Sequence, residues 1–368
     1  MKTRTKHFLT RKSAEASRTR RLLMSVTIKD VARKAGVSPS TVSRVLSNHP
    51  RISAATARKV REIMEEMGYH PNMMAKSLVS KTTKSICVIL PKPAEELFLN
   101  LFFMELIRGI VAQAARSGYD VLISSGASEA EEVEAVARLV NGRRVDGAVL
   151  LYSRKDDPVV EFLKQREFPF VLVGRSERYP DILSVDTDNV QAAYDAARHL
   201  ISLGHERIGF VGGPPNMVVS MDRMQGYRRA IEEAGLPLRE DWIVEGEFLQ
   251  DSGYRAMSML MSLPERPSGM LVVDDFVTFG VIRGLNELGY RIPQDLSIVS
   301  FNNLALAELS SPPISSVDIG SYHLGYTASQ TLIRAVETPR EERTSVRHII
   351  PHRLIVRESS LFAPVRKA

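Results

Sequence analysis

The chain has 368 residues, 44% hydrophobic and 25% charged, a composition that suits two or three globular domains and excludes a disordered or fibrous chain. No stretch approaches the ~20 apolar residues a membrane helix needs, the basic N-terminus has no apolar block behind it to act as a secretory signal, and the single cysteine, Cys87, excludes an internal disulfide. The net charge of +6 is uneven: residues 1–23 carry +7 and residues 24–81 carry +6, which leaves −7 for the rest. A basic head on a mildly acidic body points to a head that alone meets a polyanion, with a solvated basic tail as the alternative that charge leaves open.

Residues 1–23 show no periodicity and read as a disordered basic arm; Met24, immediately before the structured part, is an alternative start. Residues 24–71 form the head. Thr27 can cap a first helix, with Asp30 three residues on reaching back to it, and Ile28, Val31 and Ala32 make the apolar stripe. Gly36 follows, where the chain must leave the helix in a left-handed conformation. Ser38 caps a second helix, Pro39 fits its first turn, and Val42, Val45 and Leu46 face inward. Two short helices joined by a tight glycine turn are the helix-turn-helix layout, whose second helix enters the major groove N-terminus first. Pro39, Ser40 and Arg44 then face base edges, and Ser38, Thr41 and Ser43 lie near phosphates. A third helix, capped by Ser53 and stopped at Gly68, closes the core with Val60, Ile63, Met64 and Met67.

From residue 85 the pattern changes. Apolar runs at 85–90, 120–124, 146–151, 169–173, 207–211, 269–273 and 297–301 alternate with amphipathic stretches such as 103–117, 188–203 and 219–235. This predicts an α/β body of parallel sheets flanked by helices. Cys87, inside the run SICVIL, is expected to be a buried, inert thiol, which fits a cytoplasmic chain. The unit restarts: SICVIL, a helix and GYDVLISS are echoed by RIGFVGG, a helix and DWIVEGEF. Two similar halves imply two lobes with a cleft at the carboxyl ends of their strands. The body is expected over 83–360, with crossings between lobes near 185–190 and 315–320, and a tail over 361–368. No phosphate-loop motif, metal-ligand spacing or nucleophile set appears, so neither an enzyme nor a bound cofactor or metal is expected; His205 reads as a loop residue.

The motif TIKDVARKAGVSPSTVSRVL at 27–46, together with Tyr69, Pro71, Asn72, Ala75 and Leu78 in YHPNMMAKSL, resembles the LacI/GalR family of transcription regulators, and the resemblance runs from Val26 to about Arg357. It implies a head that binds double-stranded operator DNA, with Thr27, Tyr69 and Asn72 among its DNA-facing residues. The linker over 72–82 would hold a hinge helix at 72–80 that orders only on operator. Ala75 is small enough for the minor-groove floor, Lys76 can reach groove acceptors, and Leu78 can wedge into a base step. A nine-residue helix is unstable alone, so it needs DNA and a partner subunit, and a homodimer is expected.

The same resemblance implies a two-lobed body like that of periplasmic sugar-binding proteins. It nominates Arg223, Asp274 and Asn302 at cleft positions, Phe248 as an aromatic face, and Phe102 and Phe103 as a cleft floor. LLYSR, SLGHERIGFVGG, SIVSFNN, SPPISSVDI and HLGY resemble the maltose-operon repressor branch of Gram-positive bacteria. That makes maltose or another α-glucoside the expected effector. Leu101 stands where that branch is expected to carry proline, a change at the start of the first body helix, and Ile319 occupies a position that is glutamine-like elsewhere in the family. Two alternatives stand beside this reading: a carbon-catabolite regulator that senses a phosphorylated carrier protein, and a stand-alone sugar receptor.

Overall fold

The computed structural model describes residues 26–47, 49–69, 82–91 and 99–361. The arm over 1–23, most of the tail and the hinge residues Asn72, Ala75, Lys76 and Leu78 lie outside the described residues. The chain divides into two compact units, residues 1–82 and 83–368.

The first unit holds α1 (Ile28–Ala35), α2 (Pro39–Leu46) and α3 (Ala54–Glu66). Their small apolar positions, Val31, Ala32, Ala35, Val42, Val45 and Val60, make a dry core ringed by Ile28, Ile63, Met64, Met67 and Tyr69. The Asp30 carboxylate accepts from the Thr27 amide at 3.1 Å and from its hydroxyl at 2.6 Å, which fixes the start of α1. Gly36 ends α1 at φ +66°, and the Val37 amide returns to the Ala32 carbonyl at 3.0 Å. This left-handed residue turns the chain directly into α2, a conformation in which a Cβ would be strained.

The second unit contains two six-stranded sheets. The strands are β1 (Ser85–Ile89), β2 (Asp120–Ser124), β3 (Gly147–Leu150), β4 (Phe170–Val173), β5 (Ser184–Thr187), β6 (Ile208–Gly212), β7 (Ile243–Glu245), β8 (Gly269–Val272), β9 (Ser297–Phe301), β10 (Ser315–Asp318), β11 (Arg347–Ile350) and β12 (Arg353–Ile355). One sheet runs β11-β5-β4-β3-β1-β2 and the other β12-β10-β9-β8-β6-β7, so the same order occurs twice. All pairings are parallel except β10 with β12. Each sheet is covered on both faces, as a parallel sheet of Val, Ile and Leu requires. In the first lobe the helices are α4 (Leu101–Arg116), α5 (Glu129–Asn141), α6 (Pro158–Gln165) and α12 (Ser321–Glu337). The second lobe is covered by α7 (Asn189–Ser202), α8 (Val218–Glu233), α9 (Gln250–Met261) and α10 (Asp275–Glu287), with the short α11 (Ala305–Leu309) after β9.

The topology sends the chain between lobes three times: after β5 into α7, after β10 into α12, and from β11 to β12 through Pro351 and His352. The third passage has no counterpart in the sequence reading. The Thr187 hydroxyl lies 3.2 Å from both the Ile319 and Ile350 carbonyls, so one side chain touches all three passages. Cys87 is buried, and desolvation pushes its thiol up to about 12, which leaves it protonated and inert. His205 is buried too; its Nδ1 meets the Ser268 hydroxyl at 3.0 Å and burial lowers its pKa to about 4.

Candidate functional site

In the head, Ser38 caps α2: its oxygen accepts from the Thr41 amide at 3.1 Å and shares hydrogen bonds with the Ser40 and Thr41 hydroxyls at 2.8 and 2.9 Å. Val42 and Val45 go inward, which turns Pro39, Ser40, Ser43 and Arg44 out to solvent. The face left outside is narrow and uncharged but for Arg44; at the N-terminal end of α2 Pro39 has no amide hydrogen, and the Thr41 and Val42 amides are held by Ser38. Such a helix fits a groove lined by acceptors. Tyr69 is half-buried against the head core, and its amide bonds the Met64 carbonyl at 2.8 Å.

In the body, a cavity opens at the carboxyl ends of both sets of strands, between the lobes. Phe102, Phe103, Arg223, Phe248, Asp274 and Asn302, scattered over 200 positions of sequence, all line it. Asn100 starts α4 by accepting from the Phe102 amide at 3.0 Å, so Leu101 in the first turn leaves the helix start intact. That cap sets the two rings edge to face, with centroids 5.1 Å apart. Phe248 follows β7, while Leu151, Val173, Met217, Val218, Ile319 and Leu324 complete an apolar wall.

The polar groups are buried and prearranged. The guanidinium of Arg223, on α8, lies over the Phe301 ring at 4.1 Å. Its Nε donates to Asn189 Oδ1 at 3.0 Å and its Nη1 to the Val273 carbonyl. Burial lowers its pKa to about 10, against the pull of Asp274, Asp186, Asp275 and Asp222, so it stays charged at neutral pH. Nη2 makes no hydrogen bond to the described residues and remains available to a ligand. Asp274 caps α10 through the Phe276 and Val277 amides at 2.6 and 3.3 Å. Its other oxygen takes Asn302 Nδ2 at 2.6 Å and Asn100 Nδ2 at 3.4 Å. With its acceptor positions filled, Asp274 serves chiefly to aim Asn302. The Asn302 side-chain oxygen is buried and has no partner among the described residues, and its backbone sits at φ +97°. A buried acceptor without a donor is costly unless a ligand supplies one. These groups offer donors and acceptors around an apolar floor, which suits a molecule with C–H faces and a rim of hydroxyls.

Residues 27–72 match the model of bacterial regulatory proteins, lacI family, and residues 197–360 match a periplasmic binding protein-like domain. The HTH-type transcriptional regulator MalR of Streptococcus pneumoniae serotype 4 is 35% identical over 337 residues, 90% of this chain and 99% of the relative. Catabolite control protein A of Priestia megaterium is 36% identical over 338 residues, 92% of this chain and 100% of the relative. A solved transcriptional regulator CelR–cellobiose complex superposes with TM-score 0.71 at 30% identity, over 91% of this chain and 99% of that one. The chain belongs to the lacI family. A lacI-family chain is a DNA-binding transcription regulator with a sugar-binding type of body, and the curated relatives are regulators, not enzymes. No helix among the described residues is long and apolar enough to cross a membrane.

Several polar cavity residues of this lacI-family body escaped the sequence reading: Asn100, Arg175, Asp186, Asn189 and Asp222. Arg175 stands just past the end of β4, where the strand-end rule could have flagged it; Asp186 lies in β5, which no apolar run marks. Asp222 neighbours Arg223 on α8, but its partner Arg175 lies 47 residues away and nothing local marks the pair.

Proposed function

We propose that this regulator is a cytoplasmic repressor that binds a pseudo-palindromic operator as a homodimer and leaves it when an uncharged sugar, maltose or a related α-glucoside, occupies the cleft. The observation that carries the reading is the convergence of Phe102, Phe103, Phe248, Arg223, Asp274 and Asn302 on one interlobe cavity. The identity to a regulator named MalR and the likeness to a complex holding cellobiose support the ligand class.

In this reading α2 lies in the major groove. Arg44, Ser40 and Pro39 meet base edges, while Thr27, Ser38, Thr41, Ser43 and Tyr69 sit toward the backbone. Asn72, Ala75, Lys76 and Leu78 engage the minor groove. Two heads on one symmetric dimer read two inverted half-sites. In the cleft, Phe102, Phe103 and Phe248 take the apolar sugar faces, Arg223 donates to a hydroxyl and the Asn302 oxygen accepts from one. The sugar favours a lobe arrangement that keeps the paired hinge segments apart.

Calorimetric titration with maltose and maltotriose, alongside operator titration with DNA selected from a random pool, tests this. Maltose is expected to release heat and weaken operator binding, and Arg223→Ala to abolish both effects while retaining operator binding in the absence of sugar. If neither sugar gives heat or shifts operator affinity, the effector assignment fails. The 36% identity to catabolite control protein A supports one other reading, in which operator affinity responds to a phosphorylated carrier protein and to no sugar.

A further inference from the structure

The charged side chains of the cavity wall are three carboxylates, Asp186, Asp222 and Asp274, and two guanidiniums, Arg175 and Arg223. Arg223 is already hydrogen-bonded on two of its nitrogens. Arg175 leaves the end of β4 in the first lobe and reaches across the cleft to Asp222 on α8 of the second. Its Nε donates to Asp222 Oδ2 at 3.0 Å and its Nη2 to Oδ1, a two-point fork. Its Nη1 donates to Glu177 at 3.2 Å. Each of its nitrogens is therefore engaged by a carboxylate, and Asp222 is only 4% exposed.

We propose that Asp222 sets the charge class of the effector: by occupying Arg175 it restricts the cavity to uncharged sugars and shuts out their phosphorylated or carboxylated counterparts. This rests on the sugar-effector reading above. A phosphate brought into the cavity meets three carboxylates. To claim Arg175 it must displace Asp222, which would leave a buried carboxylate without its counterion, a strongly unfavourable exchange. A neutral sugar needs only the Asn302 acceptor, the remaining Arg223 donor and the aromatic floor, and leaves the fork intact. Removing the carboxylate charge at residue 222 frees Arg175 to receive a phosphate in the same bidentate manner.

The experiment is calorimetric titration of the full chain with maltose and maltose 6′-phosphate, measured for the wild type, Asp222→Asn, Asp222→Glu and the double variant Asp222→Asn/Arg175→Gln. The wild type is expected to favour maltose at least tenfold. Asp222→Asn should move that ratio at least tenfold toward the phosphate ester, Asp222→Glu should keep the wild-type ratio, and the double variant should lose the gain. A bridge that serves only to hold the lobes together would change both affinities alike; an unchanged ratio in Asp222→Asn overturns the proposal. So does a wild type that prefers the phosphate ester, although the sugar-effector reading then survives. A wild type that binds neither ligand overturns both. Should Asp222→Asn fail to fold, Asp222→Ser takes its place, with the same expected shift of the ratio and the same overturning result.

Discussion

Arg44 is the one charged side chain on α2, and it stands exposed beside Ser40 and Ser43. Its expected task, a bidentate contact with a guanine edge, makes Arg44→Ala cost about 1–3 kcal/mol and relax preference at one operator position, read by selection from random DNA. A uniform loss across sequences would instead mark a phosphate contact. In the cleft, Asp186 shows what the site costs the fold. It accepts from the Thr187 amide at 2.8 Å, Asn189 Nδ2 at 3.2 Å and Arg347 at 3.1 Å, yet burial still raises its pKa from 3.8 to about 6. Between these values the folded chain binds more protons than the unfolded one. Asp186 therefore favours folding most below pH 4, and its contribution falls as pH rises through 6, by about 3 kcal/mol in all at ~1.4 kcal/mol per pH unit. Asp186→Asn is expected to grow more stable relative to wild type from pH 4 to pH 7, in urea unfolding at each pH, and to bind sugar less tightly. A stability difference that stays flat with pH would refute the assignment.

The recognition element α2 depends on one residue at its start. Asp caps as well as Ser, whereas Ala does not. Ser38→Ala is expected to cost about 1 kcal/mol, visible as faster hydrogen exchange in residues 39–46. Ser38→Asp should protect those amides normally yet weaken operator binding, because it sets a carboxylate toward phosphate. Loss of protection in both variants would mean that the cap requires the Ser38–Ser40–Thr41 hydroxyl cluster. These head elements were legible because cap, proline and glycine signals are local. The strands of the body read equally well where apolar runs end in polar residues, as in β1, β3, β4 and β9. In β5 and β10 the buried positions include Ser184, Asp186, Ser315 and Ser316, so no apolar run marks them. Their polar atoms are satisfied through tertiary bonds, for example Ser316 to Asp275 at 2.8 Å and Ser315 to Ser360 at 2.6 Å, which no window of sequence contains. β11 and β12 are short outer strands with exposed residues. Asp274 illustrates the same limit at the site: its place was readable, but its role in aiming Asn302 emerges only when residues 100, 274 and 302 meet.

At the scale of the whole body, the repeated strand order makes two rigid lobes joined by three chain passages that Thr187 touches together. Few backbone dihedrals need change for the lobes to turn about such a joint, while each packed core moves as a unit. Direct bonds already link the lobes at the cavity rim: the Val218 amide to the Ser153 carbonyl and the Lys155 amide to the Asn216 carbonyl, both at 2.9 Å. A sugar can bias this equilibrium only by the difference in its affinity for the two arrangements. A coupling of about 1–3 kcal/mol corresponds to a 5–150-fold change in operator affinity. Thermodynamic linkage then fixes a second number without further assumption: operator must weaken maltose binding by the same factor that maltose weakens operator binding. Measuring both legs, by anisotropy on labelled operator and by calorimetry with and without saturating operator, closes the cycle. Equal factors are expected in the wild type, and no effect of maltose on operator affinity in Arg223→Ala. Maltose that binds tightly but leaves operator affinity untouched would mean that it binds both lobe arrangements equally well, and the release mechanism would fall while the sugar site stood.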